Sequence, residues 1–442
     1  MAGIHGWTAA GWGVVDEAFR ANFSERHEAG AAFSAYHRGE KVVDLWGGTA
    51  DESTGAPWEE DTIVLVFSTT KGATALTANL LAQRGLLDVG APVRDYWPEF
   101  ATAGKEAVTV EHLLTHRAGL AWVDRLLTVE ETLAWEPVVR ALEAQAPSWE
   151  PGADHGYHAT TFGWLVGEVV RRVSGWSLGT TFRTEVADPL GLDFHIGLPE
   201  SEEPRVARMI SILDAIASGR LGSGPVLQGG PAGASAGAVP EEPDGATAGG
   251  AGGTPFDDAD GAYLAALAER AEEYLAPEGP LFKALNAPTG RAIEDGELLH
   301  SREVHAAELP AFNGIGDARS LARMYGACIG EVVTDSGEKV RLLDESQLEA
   351  AVRQRTEGPD RVLLGLDIQW GLGFMVNRGI IGAANLGGPR AFGHFGMGGS
   401  GAWADPDAEL AMAYVMNRMD IGTTGDRRMF SLMQACYDAL GA

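Results

Sequence analysis

The sequence predicts an α/β fold in which one sheet is built from both ends of the chain and a helical region is inserted between them. Three observations predict it. Strand-like runs lie at 31–36, 41–46 and 63–67 near the start and at 368–376, 391–394, 402–405 and 410–417 near the end. Between about 108 and 200, apolar residues recur at helical spacing instead. The chain has 442 residues, 45% of them hydrophobic, which suffices for a large core and two structural regions. Strands at both ends with helices between them place the sheet at the closure of the two termini. The expected division is an α/β domain of 1–104 and 310–442 and a helical domain of 105–309.

Taken in order, His37-Arg38-Gly39-Glu40 joins the first two runs as a hairpin turn. The run 63–67 is rich in β-branched residues. At Ser68 the period changes, and T-T-K-G-A-T-A-L-T-A-N-L-L-A-Q-R predicts a helix that Gly85 closes. Further helices are predicted over 111–115, 129–145, 160–174 and 203–218. From 219 to 261 the chain is rich in Gly, Ala and Pro and buries too little apolar surface to offset its ordering entropy. It reads as a flexible surface insertion, with a lid over a cleft as the alternative. Helices over 263–275, 319–329, 345–353 and 426–440 complete the pattern.

The formal net charge is −29, which would repel phosphates and argues against a nucleic acid or an anionic membrane surface as partner. No stretch of about 18 apolar residues is present, so no membrane span is expected. The first residues lack a basic segment followed by an apolar run; no signal peptide is read there, and a cytoplasmic location is expected. Cys328 and Cys436 lie in apolar, helix-like stretches and are expected as buried free thiols. Lysine is scarce: Lys41, Lys71, Lys105, Lys283 and Lys339 are the full set.

One of these lysines belongs to the central motif, Ser68-Thr69-Thr70-Lys71, at the junction of an apolar strand and a helix. Three residues on a helix is nearly one turn, so Ser68 and Lys71 share a face. A serine hydroxyl needs a base to become a nucleophile, and a desolvated lysine can be that base. A second S-x-x-K, Ser336 to Lys339, sits in a polar turn and is assigned to a solvated loop. Tyr157, in the glycine-punctuated turn His155-Gly156-Tyr157-His158, precedes a helix and can project a phenol into a cleft to relay protons. The run Gly393-His394-Phe395-Gly396-Met397-Gly398-Gly399-Ser400-Gly401 lets backbone approach a ligand closely and offers N–H groups for an oxyanion. Ser400 falls short of a nucleophile elbow because Ala402 stands where the second glycine belongs. His112 and His116 are four apart on a helix, but without the glutamate of a zinc protease motif they read as structural. Trp122, Trp149, Trp370 and Trp403 are candidates to line an acyl pocket.

Ser68-Thr69-Thr70-Lys71, Tyr157-His158-Ala159 and His394-Phe395-Gly396 occur in the order of the three motifs of class C β-lactamases, and the chain resembles that superfamily of penicillin-binding-protein-like serine hydrolases. Leu113-Leu114-Thr115-His116-Arg117-Ala118-Gly119-Leu120 resembles a further signature of it. The likeness is nearest to the family VIII carboxylesterases. It implies an antiparallel sheet flanked by helices, Ser68 as nucleophile, and Lys71 with Tyr157 as general base and acid. It also implies the N–H groups of Ser68 and Met397 as oxyanion donors, with His394, Gly396 and Asn313 beside the substrate. No metal or organic cofactor is implied. Two departures bear on the substrate. Ala159 stands where the lactamases carry an asparagine, and His394 stands where they carry a lysine that holds a carboxylate. Simple esters lack the groups those residues recognise, so a small carboxylic ester is the expected substrate. The same serine acting on amides or β-lactams, or transferring the acyl group to another acceptor, is the first alternative. A non-catalytic binding protein on this fold is the second.

Overall fold

A computed structural model describes residues 3–211, 273, 276–286, 288–289, 296–376, 387–420 and 425–441. The insertion expected at 219–261 and nearly all of the helix expected at 263–275 lie outside the described residues.

Six of the seven strand-like runs meet in one antiparallel sheet. Its strands are β1 (Ile4–Thr8), β2 (Gly30–His37), β3 (Glu40–Asp51), β4 (Ala56–Pro57), β5 (Met375–Val376), β6 (Phe392–Phe395), β7 (Gly401–Asp405) and β8 (Leu410–Met416). The order is β1-β3-β2-β8-β7-β6-β5, with β4 pairing on β3. The two chain ends join where β8 pairs with β2, Leu410 opposite His37 through Met416 opposite Ala31. The β2–β3 hairpin turns at the predicted residues, with His37 opposite Glu40.

Every residue of β8 is buried, because helices cover both faces of the sheet. Ala411 faces α4 (Ala318–Ile329) at Gly326, whose lack of a side chain leaves space for Val332. Tyr414 points to the other side and meets Arg428 of α5 (Arg427–Leu440), which packs with α1 (Gly13–Glu25). The helices α2 (Thr70–Gln83) and α3 (Thr161–Ser174) pack on each other and carry the sheet into the helical region.

Four expectations change. The 63–67 run gives only Val64–Leu65, paired with Ile315–Gly316 in a separate small sheet, because the chain turns at Phe67. The 129–145 helix is split into Val129–Leu133 and Glu136–Ala144, because Pro137 lacks the N–H a continuous helix needs and Trp135 is left-handed at φ 66°. The 203–218 helix is absent over its described part. Beyond a short turn at Glu200–Arg205 the chain is extended, and the N–H groups of Ala207, Arg208 and Ile210 go to the carbonyls of Ile63, Ala50 and Asn417. The 368–376 strand shrinks to β5, because Gly371-Leu372-Gly373 folds back on itself and the Gly371 N–H donates to Phe374 O at 2.8 Å. Gly373, at φ 83°, lies so close to Ala75 of α2 that a side chain would not fit. That turn delivers Trp370 to the centre of the molecule.

Candidate active site

The strand Val64–Leu65 runs into a single 3₁₀ turn, Phe67–Thr69, and then into α2. Phe67 is buried and left-handed at φ 46°. A bulky residue in that region costs of order 1–3 kcal/mol, so the surroundings must hold it. They do so with hydroxyls. Thr70 Oγ1 donates to Phe67 O at 2.5 Å and accepts from Gly314 N at 2.9 Å. Thr74, one turn on, donates to Pro310 O at 2.6 Å. Ser400 Oγ donates to Val66 O at 2.7 Å and lies 3.0 Å from Thr69 Oγ1. The result is an elbow on which Ser68 alone, between Thr62 and Leu81, keeps partial exposure.

Lys71 is fully buried in the first turn of α2, and no carboxylate pairs with it among the described residues. Burial alone holds its pKa well below the ordinary lysine range. Its Nζ has three polar neighbours: Ala159 O at 2.7 Å, Ala311 O at 2.9 Å and Ser68 Oγ at 3.1 Å. Two of these are carbonyls and can only accept. A neutral amine has two N–H groups and one lone pair. With both N–H groups on the carbonyls, the lone pair is left for the Ser68 hydroxyl, which is the arrangement of a general base.

Tyr157 stands beside the pair. Lys71 Nζ lies 4.7 Å from its ring centroid, and Trp370 stacks on the same ring at 5.6 Å and 8°. Its hydroxyl is buried and makes no hydrogen bond of good geometry. Burial raises the phenol above its usual range, and the nearby Ser68 offsets part of that rise. Tyr157 therefore carries its proton at neutral pH and has it free to give.

Three histidines ring this core, and their partners fix their tautomers. His158 Nε2 accepts from Leu120 N at 3.1 Å, so its Nδ1 donates to Gly156 O at 2.7 Å. It is a structural residue, with its pKa pushed down by burial to about 4. His116 Nδ1 accepts from His158 N at 3.1 Å, which leaves the proton on Nε2. His394 lies on β6, and its Nδ1 donates to Phe395 O at 2.8 Å. Its Nε2 is then a bare lone pair, buried and unpartnered. Burial, with Lys71 nearby, takes the pKa of His394 to about 3, so this position carries no positive charge.

After β6 the chain turns through Met397–Gly399, and Gly396 N donates to Ser400 O at 2.7 Å. A side chain on Gly396 would collide with Ser400 Oγ and the Val66 carbonyl, so glycine is required where the turn meets the elbow. The N–H groups of Ser68 and Met397 both fall in the first residues of 3₁₀ turns, where no intrahelical carbonyl is available to them. Ser400, buried and spent on Val66 and Thr69, clasps the two turns together.

Asn313 is a correction. It is fully buried, its amide donates to Val304 O at 2.8 Å and Ala307 O at 2.7 Å, and its oxygen accepts from Leu309 N at 2.9 Å. Nothing is left for a substrate; it shapes the loop that presents Ala311 O to Lys71. Trp403 is buried in the sheet against Phe395, and Trp370 is spent on Tyr157, so neither offers an open pocket wall. Thr70, Thr74 and Ser400 were not legible as parts of the elbow, since each has a partner distant in sequence: Gly314, Pro310 and Val66. Among the described residues no group of three or more His, Cys, Asp or Glu is placed to hold a metal, and no helix is long and apolar enough to cross a membrane. His112 Nδ1, like that of His116, is taken up by a backbone N–H.

Comparison with known proteins places the chain among β-lactamase-like relatives. The family model described as Beta-lactamase matches residues 15–432. Esterase/beta-lactamase LipL of Mycobacterium tuberculosis is 34% identical over 411 residues, 92% of this chain and 81% of that one. The crystal structure of a family VIII carboxylesterase superposes with a TM-score of 0.78 at 34% identity, over 99% of this chain and 100% of that one. A penicillin-binding protein homologue from Caulobacter crescentus gives 0.76 at 33% identity, over 99% and 100%.

Proposed function

We propose, from the premise that the chain belongs to the β-lactamase family, that this hydrolase is a carboxylesterase acylated on Ser68. The observation that carries the reading is Lys71 Nζ, buried with no counter-ion among the described residues, 3.1 Å from the Ser68 hydroxyl. Lys71 Nζ takes the hydroxyl proton as Oγ attacks the ester carbonyl carbon. The negative charge that develops on the carbonyl oxygen is met by the N–H groups of Ser68 and Met397. The tetrahedral intermediate then expels the alcohol, which receives a proton from the Tyr157 phenol, itself replenished from Lys71. Water, deprotonated by the same pair, attacks the acyl-serine and releases the acid and Ser68.

Ester rather than amide is favoured by what the cleft lacks. Ala159 has no side-chain amide, and its carbonyl is engaged by Lys71. His394 is neutral and presents an acceptor rather than a cation, so a substrate carboxylate has no counter-charge there. A hydroxyl or other donor on the substrate would suit His394 Nε2. The penicillin-binding protein homologue keeps the amide reading in view as the second one. A cytoplasmic location fits the two buried free thiols.

The test is turnover of p-nitrophenyl esters from acetate to octanoate, beside a chromogenic cephalosporin and a D-amino-acid anilide. The proposal expects ester turnover that Ser68→Ala and Lys71→Ala abolish, with the lactam and the anilide at least about 100-fold slower. Faster turnover of either amide would transfer the assignment to the second reading.

A further inference from the structure

Tyr157 lies in a stretch without regular secondary structure, His155 to Ala159, so its position depends on what grips that stretch. His116 holds one side: its carbonyl accepts from Gly156 N at 3.0 Å and its Nδ1 from His158 N at 3.1 Å. The N–H of Tyr157 itself points the other way, to Asp360 Oδ1 at 3.0 Å, 203 positions along the chain.

Asp360 is an unusual carboxylate. It is fully buried, no lysine or arginine pairs with it among the described residues, and its electrostatic neighbour is His155. One oxygen, Oδ1, takes three N–H groups, those of Tyr157, Val362 at 2.8 Å and Leu363 at 2.8 Å. The other oxygen has no partner. Its own turn thus fixes the aspartate rigidly and leaves one lobe for Tyr157. The same segment grips the neighbours of Tyr157: Arg361 N donates to His155 O at 3.1 Å, and the Arg361 guanidinium pairs with Asp154. It also ends at Trp370, whose N–H is fixed by Thr356 Oγ1 at 2.9 Å and whose ring stacks on the phenol. One loop, 356–370, therefore holds Tyr157 at both its backbone and its ring.

We infer that Asp360 is a positioning residue for Tyr157, setting the phenol where it can protonate the alcohol as it leaves the acyl carbon bound to Ser68; this rests on the esterase reading above. A buried carboxylate without a lysine or arginine partner is costly to keep, and a fold that needed only a filled space would do better with an apolar side chain. What Asp360 supplies is a single rigid acceptor for the one N–H that fixes the tyrosine. Displacing a catalytic group by about 1 Å is enough to cost on the order of 100-fold in rate.

The experiment is a double-mutant cycle in the full chain, measuring kcat and KM on a simple alkyl ester, whose alcohol cannot leave without a proton, with each variant's fold checked by its melting curve. Asp360→Ala is expected to lower kcat about 10- to 100-fold while KM moves less than about threefold. Asp360→Asn, which keeps the accepting oxygen, restores kcat to within about threefold of wild type. In a Tyr157→Phe background, Asp360→Ala costs less than about twofold more, because the group it positions is already gone. If Asp360→Ala does not fold, Asp360→Ser takes its place in the cycle, since it is too short to reach Tyr157 N. An equal loss in both backgrounds would overturn the inference and leave the esterase reading intact. Full activity in Tyr157→Phe alone would overturn the inference, for there would be nothing to position, whereas no ester turnover by wild type would overturn the esterase reading.

Discussion

Two buried basic side chains in this molecule have opposite fates. Arg428, behind the sheet, lies 3.1 Å from Glu28 and 2.5 Å from Asp426, and its remaining N–H groups reach Gly398 O at 2.8 Å and Arg418 O at 2.9 Å. Its carboxylate partners hold its pKa well above the ordinary value despite burial. Lys71, in front of the sheet, has two carbonyls, a serine and no carboxylate, and burial drives its pKa the other way. The difference separates architecture from chemistry. A paired charge is locked in one state and serves as a fixed strut; an unpaired one is pushed toward the state in which it can take a proton. The two are joined, since Arg428 holds the carbonyl of Gly398 in the turn that carries the Met397 N–H.

The largest expected effect is on the unpaired side. Lys71→Ala should lower kcat on a short ester by about 10⁴-fold or more, comparable to Ser68→Ala. Lys71→Arg should not rescue it, because a guanidinium keeps its proton; substantial rescue would mean that position 71 supplies charge rather than a base.

Arg428→Met comes next, and its effect is on stability. It leaves Glu28 and Asp426 buried without a counter-ion and should cost about 3–5 kcal/mol in urea unfolding. Glu28→Gln with Asp426→Asn in the same chain should recover part of that loss. If Arg428→Met were as stable as wild type, the strut reading would fail.

The pH dependence sharpens the contrast. Burial lowers the pKa of Lys71 in the fold, while the unfolded chain holds that proton up to the ordinary value of 10.5. The unfolded state therefore binds more protons, and stability rises with pH from the depressed folded value up to 10.5, then levels off. Activity rises over the lower end of the same window as the base is freed. Unfolding of wild type beside Lys71→Met at two pH values inside that window should give the steeper rise for wild type; equal slopes would contradict it. The smallest expected effect belongs to Ser400→Ala, which should cost about 1–2 kcal/mol through its two lost hydrogen bonds, with a partial fall in kcat rather than its abolition.

Much of this was legible in the sequence where the determinants are local. Alternation and helical spacing located six strands of the main sheet and the helix after Ser68, and motif order brought Ser68, Lys71, Tyr157 and His394 to one place. What sequence could not carry were contacts across long separations. Asp360 and Tyr157 share no local pattern, and Asn313 looks like a cleft residue until its three backbone partners are seen. The charge of His394 was likewise decided by its burial, and its tautomer by one carbonyl, that of Phe395. The 203–218 segment has helical spacing, but its described part gives its N–H groups to neighbouring extended chain instead.

The central claim is that Lys71 is neutral at working pH, and the scarcity of lysine makes it directly measurable. With only five lysines in the chain, selective ¹³Cε labelling gives five resonances to follow against pH. One of them, missing from the Lys71→Ala spectrum, should titrate well below 10.5 and below Lys105, whose burial lowers its pKa less. If the Lys71 resonance instead titrates with the exposed lysines, the amine is protonated in the resting protein and the general-base account is wrong.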